Sequence, residues 1–249
     1  GDKYSYDYYG NAISSKGWLK YDFDINNLHV GLGGEIGYSS IWRHGIWRKG
    51  LFIDNSQGDS EKLDYLTYKA KANFRYVLSS AHNIEANIIY MQDAPSFQSA
   101  FVSPRTRNDV TPGISAEKVF GADASYNIRI GDFKARISGY YTAFNDQSKV
   151  ISYYDDVAAT FSNFAMSGIN KTHYGVELAA SIPIYEGLAL KGALSWGEYK
   201  YSNNPHYVQI QDNSAKVINE GKVYWKGKKV ESTPQTAANI GLSYRSRNN

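Results

Sequence analysis

Side chains that could bind a ligand are concentrated in the segment WRHGIWRKG, residues 42–50. It contains two tryptophans, two arginines, a lysine and a histidine. Tryptophan faces stack on sugar rings, and arginine and lysine pair with phosphate groups. The candidate binding residues are Trp42, Arg43, Trp47 and Arg48. They indicate either a contact with a substrate or lipopolysaccharide, or a surface loop that packs on its own side chains.

Two further segments combine aromatic and charged residues. YYDD, residues 153–156, is followed by two phenylalanines and indicates sugar stacking with carboxylate hydrogen bonds, or alternatively a stiff loop. VYWKGKKVE, residues 223–231, pairs a tryptophan with three lysines, which is typical of a charged hairpin tip. The candidate binding residues in these segments are Tyr153, Tyr154, Asp155, Phe161, Phe164 and Trp225.

No arrangement in the sequence is typical of an enzyme or a metal centre. Asp155 and Asp156 are adjacent but have no third ligand at a recognisable spacing, and the five histidines lack metal-ligand spacing. GLGGEIG, residues 31–37, departs from the G-x-G-x-x-G spacing of a phosphate-binding loop. No nucleophile and base share a catalytic arrangement. We therefore expect no enzymatic activity, no metal and no cofactor.

Composition narrows the class of protein. The 249 residues suffice for one large β domain, and the net charge of +3 is too small to imply a nucleic-acid partner. The absence of cysteine excludes disulfides and thiolate metal sites. No apolar run approaches the ~18 residues that a membrane-spanning helix needs. The 22 tyrosines suit half-buried sheets, water–lipid boundaries and sugar-binding surfaces.

The candidate residues must be positioned by β-strands, because hydrophobicity alternates with period two along most of the chain. In residues 66–78 every even position is apolar or aromatic, and most odd positions are polar. The predicted strands lie at residues 18–25, 28–38, 66–78, 84–90, 119–128, 133–143, 173–182, 188–199 and 235–244. Residues 4–8 form a partial pattern, and whether they are a tenth strand stays open. The pattern predicts an all-β, antiparallel up-and-down meander of nine or ten strands.

The predicted connections alternate strictly between short and long. Those at 26–27, 79–82, 129–132 and 183–187 are tight turns, and those at 39–64, 91–118, 144–172 and 200–232 are long. Loops longer than about 12–15 residues are uncommon in compact domains. Antiparallel neighbours would place all tight turns at one end of the sheet, which is the layout of an outer-membrane β-barrel with long external loops.

The two faces of the predicted strands differ in the way a barrel wall requires. Tyrosines stand near the strand ends of the apolar face, as in an interfacial aromatic girdle. Long charged residues lie deep in the polar face, as expected for a wet lumen. The predicted lumen-facing residues are Lys69, Lys71, Arg75, Glu85, Lys134, Arg136, Glu177 and Lys191. With the loop alternation, these features favour a lipid-facing barrel over a soluble, carbohydrate-binding β-sandwich.

The predicted strands would leave two unpaired edges, which lipid does not tolerate. The last residues, SYRSRNN, stop in what has the composition of another tight turn. We therefore expect residues 1–249 to be a partial β-barrel domain, a segment of a larger transmembrane barrel.

Two long stretches resemble a known family. They run from QDAPSFQSAFVSPRTRND (beginning at residue 92) to FND at 144–146, and from FSNFAMSGINKTHYGVELAASIPI at 161–184. Within them are the turn Gly131-Asp132-Phe133, the pair Tyr140-Tyr141 and the segment Gly-Val-Glu-Leu at 175–178. The chain resembles the C-terminal part of the barrel domain of TonB-dependent outer-membrane receptors, especially those of Bacteroidetes-like bacteria.

The resemblance implies a 22-stranded type of barrel, closed by an N-terminal plug, in the bacterial outer membrane. It implies energised import of a nutrient such as an iron chelate or an oligosaccharide, with the external loops selecting the substrate. The implied partners are TonB, acting through an N-terminal part not found in this sequence, outer-membrane lipid and a possible surface lipoprotein. Plug, TonB-contact segment and remaining strands are expected to be missing from the chain. A passive porin or an adhesion barrel is the alternative.

Overall fold

The computed structural model describes residues 6–157 and 159–246. Within them lie twelve strands and one short helix. The strands are β1 (Tyr8–Ile25), β2 (Leu28–Gly45), β3 (Gly58–Asp59), β4 (Leu63–Ser79), β5 (His82–Asp93), β6 (Glu117–Ile130), β7 (Phe133–Asp155), β8 (Thr160–Tyr185), β9 (Leu188–Tyr201), β10 (His206–Gln211), β11 (Val217–Lys222) and β12 (Thr236–Tyr244). The helix α1 spans Phe97–Ala100.

All strands belong to one antiparallel sheet. Its order is β1-β2-β4-β5-β6-β7-β8, after which β8 pairs with β9 along one part of its length and with β10 along another. β12 pairs with β9, and β11 pairs with β10. The predicted antiparallel meander is confirmed, and the two-sheet sandwich is wrong because every described strand lies in a single sheet. Within the described residues the sheet is open: β1 and β12 are the edge strands of the meander, and β11 is an edge strand at the loop end.

The nine long strands of the meander correspond to the nine predicted strands. They are β1, β2, β4, β5, β6, β7, β8, β9 and β12, and each contains its predicted segment almost completely. Of the open tenth strand at residues 4–8, residues 4 and 5 lie outside the described ranges, and Tyr6 and Asp7 do not belong to a strand. Its last residue, Tyr8, is the first residue of β1.

The four predicted tight turns are confirmed at one end of the sheet. β1 and β2 are joined by two residues, of which Asn26 has a φ of 52°. The turns after β6 and β8 use Gly131 and Gly187 with φ of 56° and 73°. Left-handed backbone is what two-residue hairpins need, and asparagine and glycine adopt it at the lowest cost.

At the opposite end the strands extend into the predicted long connections, most of all between β7 and β8, whereas residues 202–235 between β9 and β12 form a connection as long as predicted. β7 and β8 pair up to Asp155 and Thr160, so most of the predicted loop at 144–172 is a paired hairpin. Register shifts between Phe144 and Lys149 break the period-two pattern, which explains why the sequence suggested a loop there. β10 pairs with the part of β8 that β9 does not cover, and β11 pairs with β10, so both strands belong to the same sheet and widen it at the loop end.

The apolar face of the sheet is exposed, and its buried clusters lie at the loop end. Leu178, Leu194 and Ile240 are exposed aliphatic residues at the middle of neighbouring strands. An aromatic row follows toward the loop end, where Tyr141 is paired directly with Tyr174. No helix in the described part of the chain is long and apolar enough to cross a membrane. The sheet therefore has an apolar band that its own residues do not cover.

Candidate functional site

The segment 94–116 folds onto the polar face of the sheet at its loop end. Ala100 and Phe101 are fully buried in a cluster with Ile41 of β2, and Leu63 and Tyr65 of β4 pack against this cluster. Ile41 is separated from Arg43 by an even number of positions along β2. Leu63 and Tyr65 are separated from Lys69 by even numbers of positions along β4. Side chains at even spacing along a strand point to the same face, so these residues lie on the polar face. Burial of the α1 region thus fixes segment 94–116 across the sheet.

The side chain of Arg43 connects segment 46–62 to segment 94–116 by hydrogen bonds. Its side chain is 1% exposed, and its Nη1 donates a 2.9 Å hydrogen bond to the carbonyl oxygen of Ser56. Nε donates a 2.6 Å bond to the carbonyl oxygen of Pro104, and Nη1 also contacts Asn108. Burial lowers the pKa of Arg43. The predicted contact between Arg43 and a ligand does not fit this geometry, because its donors already hold segments 46–62 and 94–116.

Arg107 makes the second internal connection. Its side chain is 0% exposed and its Nε lies 2.5 Å from Oδ2 of Asp109. Nη1 donates a 2.6 Å hydrogen bond to the carbonyl oxygen of Asp212, between β10 and β11, and the guanidinium lies 4.9 Å from the ring centre of Phe52. Because three loop segments meet at Arg107, they form one packed assembly, which we call the loop cap.

The extended hairpin contributes both of its faces to this packing. On one face, Ala165 and Val208 form a buried cluster with Val102 of segment 94–116. On the other face, Phe164 stacks on Tyr207 with ring centres 4.4 Å apart. Phe164, predicted as a ligand contact, is therefore partly buried in a hydrophobic cluster.

The segment 223–235 packs against the end of β9 and is not a solvated tip. Trp225 lies against Tyr201, with ring centres 4.5 Å apart. Lys149 of β7 donates a 2.8 Å hydrogen bond to Glu231, and the Tyr201 hydroxyl donates to the same carboxylate. These two hydrogen bonds lower the pKa of Glu231 to about 2, and burial together with the Glu231 contact raises the pKa of Tyr201.

A second group of polar and aromatic residues lies side by side on β7, β8 and β9. Lys171 of β8 is paired with Phe144 of β7 on one side and with Tyr201 of β9 on the other. His173, two positions further along β8, is paired with Tyr199 of β9. The His173 ring is 5.0 Å from Phe144 and 4.7 Å from Tyr199, measured between ring centres. Lys171 Nζ is 5.7 Å from the ring centre of Tyr201. We call these five residues the lysine–aromatic patch.

The charge of Lys171 is not matched by an ion pair among the described residues. Two carboxylates lie in its surroundings, but both have other partners. Glu117 accepts a 3.4 Å hydrogen bond from Gln147 Nε2, and Glu231 is held by Lys149. Burial lowers the pKa of Lys171 and raises that of Glu117. The carboxylates of Glu117 and Glu231 thus balance the charges of Lys171 and Lys149, although Lys171 forms no direct ion pair among the described residues.

Two buried polar atoms near the patch also lack a hydrogen-bond partner in the described structure. They are Nε2 of His173 and Oε1 of Gln147. Buried polar atoms without partners are rare in folded proteins and call for an explanation.

The remaining predicted ligand contacts do not form one site. Trp42 lies under Lys62 at 4.9 Å, Trp47 Nε1 donates to Asp7 at 2.9 Å, and Arg48 is exposed. At the hairpin end, Tyr154 and Phe161 make a T-shaped contact at 5.4 Å, Tyr153 accepts a 2.6 Å bond from Gln209, and Asp155 accepts a bond from the backbone of Val157. Their predicted role in ligand binding stays a prediction.

The predicted lumen residues share the polar face by their register. Glu35 lies 4.0 Å from Lys69, and Arg75 lies 3.7 Å from Glu85. The other members are Lys71, Lys134, Arg136, Glu177 and Lys191. Their position in the lumen of a closed barrel stays a prediction, because the described sheet is open.

Sequence reasoning missed the lysine–aromatic patch. The signal was present in Lys171 and His173, which stand at i and i+2 of a period-two segment and so share one face. Their neighbours on β7 and β9 follow only from the register, which shifts near Phe144. No group of three or more His, Asp or Glu that could hold a metal occurs in the described ranges.

Comparison with known proteins agrees with this architecture. A family model described as TonB dependent receptor-like, beta-barrel, matches residues 1–249. The FrpB iron transporter from Neisseria meningitidis is similar with a TM-score of 0.58 and 14% identity, over 98% of this chain and 32% of that protein. The copper transporter OprC is similar with a TM-score of 0.61 and 13% identity, over 95% of this chain and 40% of that protein.

The chain thus spans less than half the length of these two structures. At 13% and 14% sequence identity, the similarity concerns the fold alone. A comparison with curated protein sequences gave no match. The family model covers the whole sequence. Barrels of this family are outer-membrane proteins. The chain therefore belongs to the β-barrel family of TonB-dependent receptors.

Proposed function

We propose that this chain forms part of the wall and external loops of a nutrient receptor that imports its ligand across the bacterial outer membrane. The observation that carries the proposal is the single antiparallel meander with an uncovered apolar band, in a chain that belongs to this receptor family. The apolar face contacts lipid, and the polar face lines the lumen. Import, and not catalysis, is the proposed activity.

We propose that residues 1–249 are a partial barrel domain of a longer protein. The coverage of only 32% and 40% of two solved relatives supports this arrangement. The plug, the segment that contacts TonB and the remaining strands would then be supplied by other parts of that protein. TonB would pull on the N-terminal part and not on this chain.

The loop cap is proposed to help select the ligand, because it covers part of the polar face at the end opposite the tight turns. Segment 94–116 reaches from β2 and β4 to the extended hairpin, so it crosses the route to the polar face. An iron chelate or an oligosaccharide fits the proposal. The names of the two relatives, iron and copper transporters, support a metal-containing nutrient, while the aromatic residues support a sugar. A surface lipoprotein is a further proposed partner.

The test is nutrient uptake by cells that express the full-length protein, with and without a functional TonB. We expect uptake of the cognate nutrient to stop when TonB is inactivated, while the protein stays in the outer-membrane fraction. Uptake that continues without TonB would contradict the proposal and favour the passive porin. Recovery of the protein in a soluble fraction would contradict its location.

A further inference from the structure

We propose that the pair Lys200 and Lys229 binds the phosphate group of a lipid in the outer leaflet of the membrane. Both side chains lie on the apolar face of the sheet, directly beyond the aromatic residues at its loop end. The inference rests on the proposed function, because it requires that the apolar face contacts lipid. It adds to that general contact one lipid site with a defined headgroup chemistry.

The two lysines are direct neighbours on adjacent backbone segments. Lys200 of β9 and Lys229 of segment 223–235 form an antiparallel bridge. Backbone hydrogen bonds of 2.9 Å join the residues on both sides of this bridge, as in the type of antiparallel pair whose side chains lie closest together. Like charges directly opposite each other destabilise a sheet. An anion bound between the two ammonium groups would remove this repulsion.

The register places this pair at the water–lipid boundary. Lys200 is separated from Trp196 by an even number of positions along β9, so both side chains point to the apolar face. Lys229 is directly opposite Lys200 and therefore shares that face. Trp196 and its neighbour Tyr174 on β8 are exposed on the same face. Tryptophan and tyrosine at the ends of lipid-facing strands lie at the level of the headgroups, so the lysines beyond them meet lipid phosphates.

One carboxylate lies beside the two lysines and balances only one of their charges. Glu198 accepts a 2.6 Å hydrogen bond from Nζ of Lys200, and the Tyr174 hydroxyl donates to the same carboxylate. Lys229 is exposed and lies in the electrostatic field of Glu198, but it forms no ion pair with a described residue. Thr172, paired with Lys200 on β8, is neutral. The site therefore keeps one positive charge in excess, which attracts an anionic headgroup.

The apolar surroundings favour a lipid over a free phosphate ion. Val176 and Trp196 are paired across β8 and β9, and Leu178 and Leu194 are the next apolar pair toward the middle of the sheet. All four side chains are exposed. A lipid with its phosphate between the lysines can lie with its acyl chains on these side chains, so that one molecule makes both kinds of contact. A free phosphate ion makes only the polar contact.

Lys229→Met is the first test variant, because it removes the charge that no ion pair compensates and keeps the length of the side chain. The double variant Lys200→Met, Lys229→Met removes the whole site, and Lys229→Arg keeps the charge. Lys118→Met is the matched control. Lys118 also lies on the apolar face, two positions from Phe120 along β6, but its charge is balanced by Asp146 at 3.0 Å. Circular dichroism checks that every variant keeps its β structure.

Binding is measured by native mass spectrometry on the full-length protein, purified in detergent and freed of lipid. The probes are a lipid A that carries one phosphate and the same lipid A without its phosphate. We expect the phosphorylated lipid to bind at least about 10-fold more tightly than the other. Lys229→Met should lower this ratio at least about 3-fold, and the double variant should abolish it. Lys118→Met and Lys229→Arg should change the ratio by less than about 2-fold.

Equal binding of the two lipids would overturn the proposal, as would an unchanged ratio in the double variant. Displacement of the phosphorylated lipid by millimolar inorganic phosphate at constant ionic strength would assign the site to a free ion and would also overturn it. The measurement uses neither TonB nor cells. Its failure would therefore leave the uptake and fractionation tests of the proposed function unaffected, and the two failures can be told apart.

Discussion

Arg107 and Asp212 join two distant loops: Nη1 of Arg107 donates a 2.6 Å hydrogen bond to the carbonyl oxygen of Asp212. They are separated by 105 positions in the sequence. The guanidinium is fully buried and also pairs with Asp109. Loops of a receptor are commonly mobile, but a buried charge with fixed partners requires its surroundings to stay in place. The loop cap is therefore expected to behave as a unit.

Replacement of Arg107 by methionine should release segment 94–116. The variant removes the buried donor from Asp109 and from the carbonyl of Asp212. Because Asp109 is 32% exposed and keeps its contact with Asn55, we expect a cost of about 1–3 kcal/mol. Because the strands below are paired independently, we expect faster proteolysis and faster amide exchange in 94–116, with little change in the sheet. Arg105→Met is the control, since Arg105 is exposed and contacts only the Tyr6 ring among its described contacts, at 5.3 Å. Equal cleavage of both variants would show that Arg107 does not hold the cap.

Gly175 is a position where the sheet leaves no room for a side chain. A Cβ there would lie 2.4 Å from the carbonyl oxygen of Trp196 and 2.7 Å from the hydroxyl of Tyr140. Gly175→Ala should therefore lower the free energy of unfolding by about 1–3 kcal/mol, as overpacking does. Gly192→Ala is the matched control, because its Cβ would meet only Asn239 O, at 3.7 Å.

Urea unfolding of the full-length protein in lipid vesicles measures both glycine variants. A gain in strand propensity without a clash should make Gly192→Ala neutral or slightly stabilising. If Gly175→Ala is as stable as Gly192→Ala, the close packing of Tyr140 over β8 and β9 is not present in the protein.

The anchoring of segment 223–235 should weaken in acid. The pKa of Glu231 is lowered from 4.5 to about 2 by hydrogen bonds from Lys149 and Tyr201. A carboxyl with a depressed folded-state pKa stabilises the folded form above its unfolded pKa, and this contribution is lost as the pH falls toward the folded pKa. The loss should therefore occur between about pH 4.5 and pH 2. Since Glu231 is half-exposed, solvent screening makes the effect small.

Trp225 reports on this anchoring, because it packs on Tyr201. The emission difference between the protein and its Trp225→Phe variant should change over that pH range. Glu231→Gln should already show the acid form at pH 7 and little further change. A pH response that is the same in Glu231→Gln would assign it to another group.

Most of the fold could be predicted from the period-two alternation of apolar and polar residues. It located all nine long strands because one face is uniformly apolar, and the tight turns were marked by residues such as Asn26 and Gly131. The extension of β7 and β8 could not be predicted in the same way. Outside the apolar band both faces of a strand are polar or packed, so alternation disappears although the backbone pairing continues.

The candidate site was less predictable than the fold. Composition drew attention to Arg43, but its role depends on Ser56 and Pro104, which reach it only through tertiary structure. Lys171 was not predicted as a site residue, because a single lysine in a predicted strand is common. Its environment depends on Phe144 and Tyr201, which lie on two other strands, and the register between β7 and β8 shifts directly after Phe144.

The central claim is that the apolar face of this sheet contacts lipid. Leu194 and Ser195 are neighbours on β9 and point to opposite faces: Leu194 is 44% exposed on the apolar face, and Ser195 is paired with Glu177 on the polar face. The measurement is the free energy of unfolding of Leu194→Arg and Ser195→Arg in the full-length protein, refolded into lipid vesicles. A lipid-facing Leu194 predicts a loss of about 2–4 kcal/mol for Leu194→Arg and less than about 1 kcal/mol for Ser195→Arg. Equal losses, or a larger loss for Ser195→Arg, would contradict the lipid contact.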